Sequence, residues 1–462
     1  LAGTQEDQRM AIETKLQDRV DEADMTALRA FDPEEMVQDL DDITDTASIT
    51  LLDLYRRWER QNWSAYALDF TPDAADWTAL GTETTDKMMW LLSMFFQGEQ
   101  AVTDTLAPWI TAAPTEEMRL FLSTQVADEA RHTVFFDRFY KEVVSVAGDL
   151  HGRLEWSKQF TNDAYEEFFY SRLPAMAREV ESHPKDPIVF ARGIAFYHLI
   201  VEGTLAVPGQ KYILKFCRDR DIMPAFRSGF TAIARDESRH VGAGVRILQM
   251  LTEEEPACEE AVRSLIEETL PMTGEIFRPP NLDFTYMTVL GTTVADLNAF
   301  SVKSLNKRFR GAGFGDLRTK TIRTSRAEGE PILPPRERSA AQEMVASMRD
   351  QVTPALLFQA LPMAFNPEAA RGVDRTFQFD LDGENGGTWV VKVANGACEV
   401  TEGKPDTPAD NRLETDADTW IAMSAGDISG DEAFLLGRLG AEGILGGGLI
   451  FDSLFSGGPG IH

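Results

Sequence analysis

Cysteine is scarce in this chain of 462 residues: Cys217, Cys258 and Cys398 are the whole complement, and they lie far apart. That spacing builds neither a disulfide framework nor a cysteine zinc site, and it fits a reducing, cytoplasmic compartment. Positive charge is also short. Lys and Arg number 45 against 75 Asp and Glu, a net charge of −30, which argues against nucleic acid or an anionic membrane as partner. No apolar run reads as long enough to span a membrane, and no signal-peptide pattern opens the chain. The first residue is Leu1 rather than Met, read here as a trimmed or processed end.

What is present falls into blocks, as expected of a length that suits two or three domains. Residues 1–45 are polar and acidic, an extension with an amphipathic helix expected around Arg9 to Arg29. Residues 46–310 show 3.6-residue periodicity almost throughout, broken at Pro108, Pro114, Pro184, Pro187, Pro256 and Pro279–Pro280. Residues 311–340 turn basic and Gly/Pro-containing and read as a linker. From 341 to 462 the pattern becomes α+β. A helix is expected through Met344 to Ala364, then strands Thr376 to Asp382 and Thr388 to Val393 around a hairpin at Gly383–Gly387. A third strand, Ala397 to Thr401, follows the Asn395–Gly396 turn. Beyond it are expected a strand near Leu413, a helix capped by Asp416 or Asp418, and helical stretches Glu432 to Leu439 and Leu449 to Leu454.

The chemistry is concentrated in two five-residue strings, Asp128-Glu129-Ala130-Arg131-His132 and Asp236-Glu237-Ser238-Arg239-His240. Each holds Glu-x-x-His, and three residues is nearly one helical turn, so carboxylate and imidazole share a face. Glu99 precedes Glu129 by 30 residues and Glu202 precedes Glu237 by 35. Each gap suits a helix, a turn and part of a second helix. One Glu-x-x-His is easily a surface polar pair. Two in the same context, each preceded by a glutamate in an apolar helix, form the ligand set of a carboxylate-bridged dimetal site in a four-helix bundle. Glu99 and Glu202 sit among Met88–Phe96 and Ala195–Val201, where a carboxylate without a cation is costly. Asp128 and Asp236 are candidates to fix the imidazole N–H groups, with Arg131 and Arg239 orienting them.

The helical region resembles the ribonucleotide-reductase small-subunit superfamily of the ferritin-like fold, and within it the ligand-binding oxidases. The matching strings are Gly98–Val102, Asp128–His132, Tyr197–Gly203 and Asp236–His240. The resemblance implies a Mn/Fe or di-iron centre open to a long-chain fatty acid. It implies Glu99, Glu129 and His132 on one metal, manganese, and Glu202, Glu237 and His240 on the other, iron. It also implies an ether link between Val102 and Tyr197 formed on oxygen activation, an external electron donor, and a homodimer. Phe136 stands where radical-generating subunits carry a tyrosine, and Ile233 where arylamine oxygenases carry a third histidine.

The C-terminal block resembles the sterol-carrier-protein lipid-binding fold through Phe377 to Val393, Asp416 to Asp427, Gly430 to Leu439 and Glu442–Gly443. It departs at Ile444 and Gly446–Gly448, where that family carries an Asp and larger apolar residues. The expectation is a mainly α protein with a ferritin-like dimetal core and a small α+β lipid-binding domain, oxidising a fatty acid or related lipid. Two other functions fit the same residues. One is a radical-generating subunit serving a separate partner. The other is a lipid-binding protein whose metal site only forms its own Val–Tyr cross-link.

Overall fold

The computed structural model describes residues 49–455; the helix expected around Arg9 to Arg29 lies outside them. The chain forms two compact units. Among the described residues, the first comprises residues 49–266 with Val289–Gly291 and Lys307–Phe314, and the second comprises Glu267–Thr288, Thr292–Asn306 and residues 315–455.

The first unit is helical. Helix α1 (Leu51–Arg60) starts at a capping box in which Thr50 and Asp53 satisfy each other's backbone N–H. Helices α2 (Thr71–Leu80), α3 (Thr82–Thr105) and α4 (Glu116–Glu142) follow. Helix α5 runs over Pro187–Asp219 with its middle, Ala195–Ala206, in π-helical form. Helix α6 spans Pro224–Glu254, and it is buried at every position from Ala225 to Val245. That makes α6 the central helix, and α3, α4 and α5 surround it as a ferritin-like core. Its first N–H groups are capped from another helix. Asp73 of α2 accepts from Ala225 and Phe226 at 3.0 and 2.6 Å, and Asp76 accepts from Met223 at 2.7 Å.

By length and composition alone α5 is apolar enough to cross a membrane, contrary to the expectation from sequence that no run reaches that length. Of its most apolar 18 residues, 89% are buried inside the protein, as befits a core helix.

The second unit carries a six-stranded sheet in the order β1-β6-β5-β2-β3-β4. The strands are β1 (Arg318–Ile322), β2 (Arg375–Asp382), β3 (Gly387–Ala394), β4 (Ala397–Glu402), β5 (Asn411–Asp416) and β6 (Gly440–Ile444). Among the described strands, only β2 and β5 pair in parallel. Both expected turns are present, with Asn395 and Gly396 at φ 52° and 72°, the conformation an Asn-Gly hairpin requires.

Three sequence expectations change here. The linker contains β1, whose Thr319 and Ile322 are buried against β6. The helix expected over Met344–Ala364 is two, α7 (Ala340–Ser347) and α8 (Pro354–Ala364). Pro354 disfavours helical geometry at Thr353, which caps α8 instead. The stretch Glu432–Leu439 stops as a helix at Leu435, turns at Gly437 with φ 69°, and leads into β6.

Glu267–Asn306 reads as part of the helical region, yet most of it clusters with the sheet. Arg278 donates to the Leu435 carbonyl at 2.9 Å, and Asn298 donates to Asp431 at 2.5 Å. A Cβ on Gly274 would lie 3.1 Å from the Phe434 ring.

Candidate metal centre

Each helix of the core delivers its acids and imidazoles to one point. Glu99 comes from α3, Glu129 and His132 from α4, Glu202 from the π-helical part of α5, and Glu237 and His240 from α6. They form two overlapping clusters, Glu99/Glu129/His132/Glu237 and Glu129/Glu202/Glu237/His240, with ligand atoms inside each all within 4.8 Å of one another. All six side chains are buried. His132 turns Nδ1 toward Glu99 (3.2 Å), Glu129 (3.5 Å) and Glu237 (3.5 Å). His240 turns Nδ1 toward Glu202 (3.0 Å), Glu129 (3.2 Å) and Glu237 (3.6 Å). Glu129 and Glu237 therefore belong to both clusters.

The outward nitrogens are held in a crossed pattern. His132 Nε2 faces Asp236 at 3.2 Å, and His240 Nε2 faces Asp128 at 3.1 Å. Each motif's aspartate thus fixes the other motif's histidine. Arg131 donates to Asp128; Arg239 donates to Asp236 at 2.5 Å and to Asp128 at 3.2 Å. Two indoles complete the arrangement. Trp63 Nε1 donates to Asp236 at 2.8 Å and Trp58 Nε1 to Asp128 at 2.9 Å. The roles of the aspartates and arginines could be suspected from sequence; the crossing and the tryptophans could not. Trp58 shares its helix with Leu51, Leu54 and Tyr55, so nothing local in the sequence marks it out.

Tyr197 is fully buried and its hydroxyl donates to Glu129 Oε1 at 2.7 Å. Val102 is buried on α3, nearly one turn beyond Glu99. Phe136 packs within a phenylalanine cluster with Phe95 and Phe230, and Ile233 is buried. The π-helical turn frees backbone groups, and two of its carbonyls are answered by side chains. Thr204 donates to the Leu199 carbonyl at 2.7 Å, and the buried Arg308 donates to that of Gly203. Gly203 has to be glycine here, because a Cβ would lie 2.9 Å from the His198 carbonyl oxygen and 3.0 Å from Arg308.

The electrostatics ask for cations. Burial pushes Glu99, Glu202 and Glu237 above the usual carboxylate range, and neighbouring glutamates add to the push. Burial also works against Glu129, but hydrogen bonds from His132 and His240 outweigh it and hold that carboxyl well below. The second oxygens of Glu202 and Glu237 are buried and accept no hydrogen bond. Four carboxylates carry four negative charges, and two divalent cations neutralise them and engage the unpartnered oxygens. The donor set of hard oxygens with one neutral nitrogen per ion suits first-row transition metals. It is a dimetal carboxylate site.

The model of the ribonucleotide reductase small-chain family matches residues 45–317, and the chain belongs to that family. The model of the SCP-2 sterol transfer family matches residues 358–456, so the second unit carries an SCP-2 domain. Among solved structures, variants of an R2-like ligand-binding oxidase are similar. One with an anaerobically reconstituted Mn/Fe cofactor has 26% identity and a TM-score of 0.50, covering 57% of this chain and 93% of its own. Another anaerobically reconstituted variant and an aerobically reconstituted one each have 25% identity, a TM-score of 0.50 and the same coverage. The chain is thus a homologue of these oxidases with an added SCP-2 domain.

Proposed function

We propose that the protein is a dioxygen-activating oxidase of the ligand-binding type, acting on a long-chain fatty acid or related lipid that its SCP-2 domain collects or hands on. The observation that carries this reading is the pair of clusters sharing Glu129 and Glu237. Glu99, Glu129 and His132 would hold manganese, and Glu202, Glu237 and His240 iron, with two irons as the other pairing. When bound, the reduced metal pair supplies two electrons to dioxygen, and formation of the Val102–Tyr197 ether supplies the other two. Manganese ranks below iron in divalent affinity, so its selection needs site geometry or loading order.

The chain's own groups do the rest. Tyr197 already directs its hydroxyl hydrogen at Glu129 Oε1, so that carboxylate is placed to take the proton as the Tyr197 oxygen bonds to Val102. Val102 gives up one C–H hydrogen in the same oxidation. Asp236 and Asp128 accept from the outward Nε2–H of His132 and His240, which leaves Nδ1 of each ring free to bind metal. The phenylalanines around the site exclude bulk water. Phe136 in place of a tyrosine argues against a radical-storing subunit.

The test of substrate class is lipid extraction from purified protein, followed by oxygen uptake with and without added fatty acid. Co-isolated lipid and lipid-dependent uptake beyond one turnover are expected. Uptake that stops at one dioxygen per chain with every lipid tried would leave only the cross-linking reaction.

A further inference from the structure

The carbonyl of Gly203 stands where helix α5 cannot supply its donor. In α-helical form it would take the N–H of Val207, four residues on. Val207 instead gives its N–H to the Glu202 carbonyl, five residues back, which is the π-helical bond. The π-helical donor for Gly203 would then be residue 208, but Pro208 has no N–H. Both helical routes are closed, and Gly203 is buried. The donor comes from elsewhere. Arg308, on the helix Val294–Gly311 and only 2% exposed, donates to the Gly203 carbonyl. Its approach is close, since a Cβ on Gly203 would lie 3.0 Å from Nη1 and 3.3 Å from Cδ of Arg308. A guanidinium donor makes a charge-assisted bond, stronger than the amide bond it replaces. Glu202 is the next residue back, with one carboxylate oxygen 3.0 Å from His240 Nδ1 and the other buried without a partner.

We infer that Arg308 is a positioning residue for Glu202: it stands in for the N–H that Pro208 lacks, holds the π-helical register at Glu202–Val207, and so keeps the Glu202 carboxylate beside Glu237 and His240. Arg308 is not itself in either ligand cluster and acts through the backbone of Gly203. Without its donor the Gly203 carbonyl is buried unsatisfied. The simplest repair returns the Val207 N–H to Gly203 in α-helical form. That repair removes the extra residue of the turn and rotates Glu202 about the helix axis, away from its partners. The effect falls on one metal position, because Glu99 and His132 come from α3 and α4, which carry no such turn. This inference rests on the dimetal site described above and assigns one of its ligands a support from outside the four helices that carry them.

The experiment titrates Co(II) anaerobically into the metal-free full chain and follows the visible absorption of the bound ions. Arg308→Met keeps much of the side chain's bulk and removes its donors. The parent should bind two Co(II) ions; the variant should bind one as tightly and the other about 10–100-fold more weakly. Two further backgrounds identify the affected ion. In the His132→Ala chain, which retains Glu202, Glu237 and His240, Arg308→Met should weaken the remaining ion. In the His240→Ala chain it should change nothing. Pro208→Ala restores an N–H at residue 208, so adding it to Arg308→Met should recover most of the lost affinity. Should Arg308→Met not fold, the chain carrying both substitutions decides: it should fold and bind two Co(II) ions, and its failure to do so counts against the inference. Equal loss at both ions, unchanged affinity at both, or no recovery with Pro208→Ala overturns the role of Arg308 and leaves the dimetal site standing. A parent chain that takes up no Co(II) ends both.

Discussion

At the residue scale, the crossed hydrogen bonds make a claim that proximity in sequence would not. Asp236 is adjacent to Glu237 but holds His132, so Asp236→Asn should disturb the ion bound by His132. The expected loss is about 10–100-fold in affinity for that ion, measured by metal titration. Combined with His132→Ala it should add little further loss, whereas combined with His240→Ala the losses should add. Additivity in both pairs would refute the crossing. Gly203 gives a second case. Gly203→Ala should lower stability by about 1–3 kcal/mol, because the new methyl meets a backbone carbonyl and a buried arginine. A melting temperature equal to the parent's would contradict it. The six candidate ligands were legible because Glu-x-x-His has a fixed meaning on a helix. Trp58, Trp63 and Arg308 were not, because their roles depend on partners 70 or more residues away.

Among the elements, the long helices were readable from periodicity, and the hairpins from Gly and Asn. The strands β1 and β6 were missed for a shared reason. Each is short and sits beside Gly-rich sequence, and they pair mainly with each other and with β5, so neither carries a strong local signal. The capping of α6 by Asp73 was equally invisible, and it has a pH signature. Burial raises the Asp73 carboxyl to about 6, against the pull of the Phe226 and Ala225 N–H groups. Between the unfolded value near 4 and that folded value the native state binds the extra proton. Stability from this group is therefore full below about pH 4, falls as pH rises to about 6, and is flat above. Asp73→Asn does not titrate. The parent's advantage over it in urea midpoint should shrink across that window; an advantage that grows with pH would contradict the assignment.

The whole molecule divides differently from its sequence pattern. Most of Glu267–Asn306 clusters with the sheet rather than with the metal-binding helices. A chain cut after residue 340 would leave Arg278, Asn298 and Gly274 without their partners at Leu435, Asp431 and Phe434. It should melt below the parent or aggregate, and an unchanged melting profile would contradict this assignment of Glu267–Asn306 to the second unit. The acidic composition that speaks against nucleic acid says nothing of this division, since net charge bears on solubility and partners rather than on topology.

The central claim is that two metals held by four glutamates and two histidines activate dioxygen beside Tyr197. It is tested most directly by peptide mass mapping after apo-protein is loaded with Mn(II) and Fe(II) and exposed to air. The account predicts a joined peptide containing Val102 and Tyr197, lighter by two hydrogens than the separate pair. Unlinked peptides from fully metallated, air-exposed protein would contradict it.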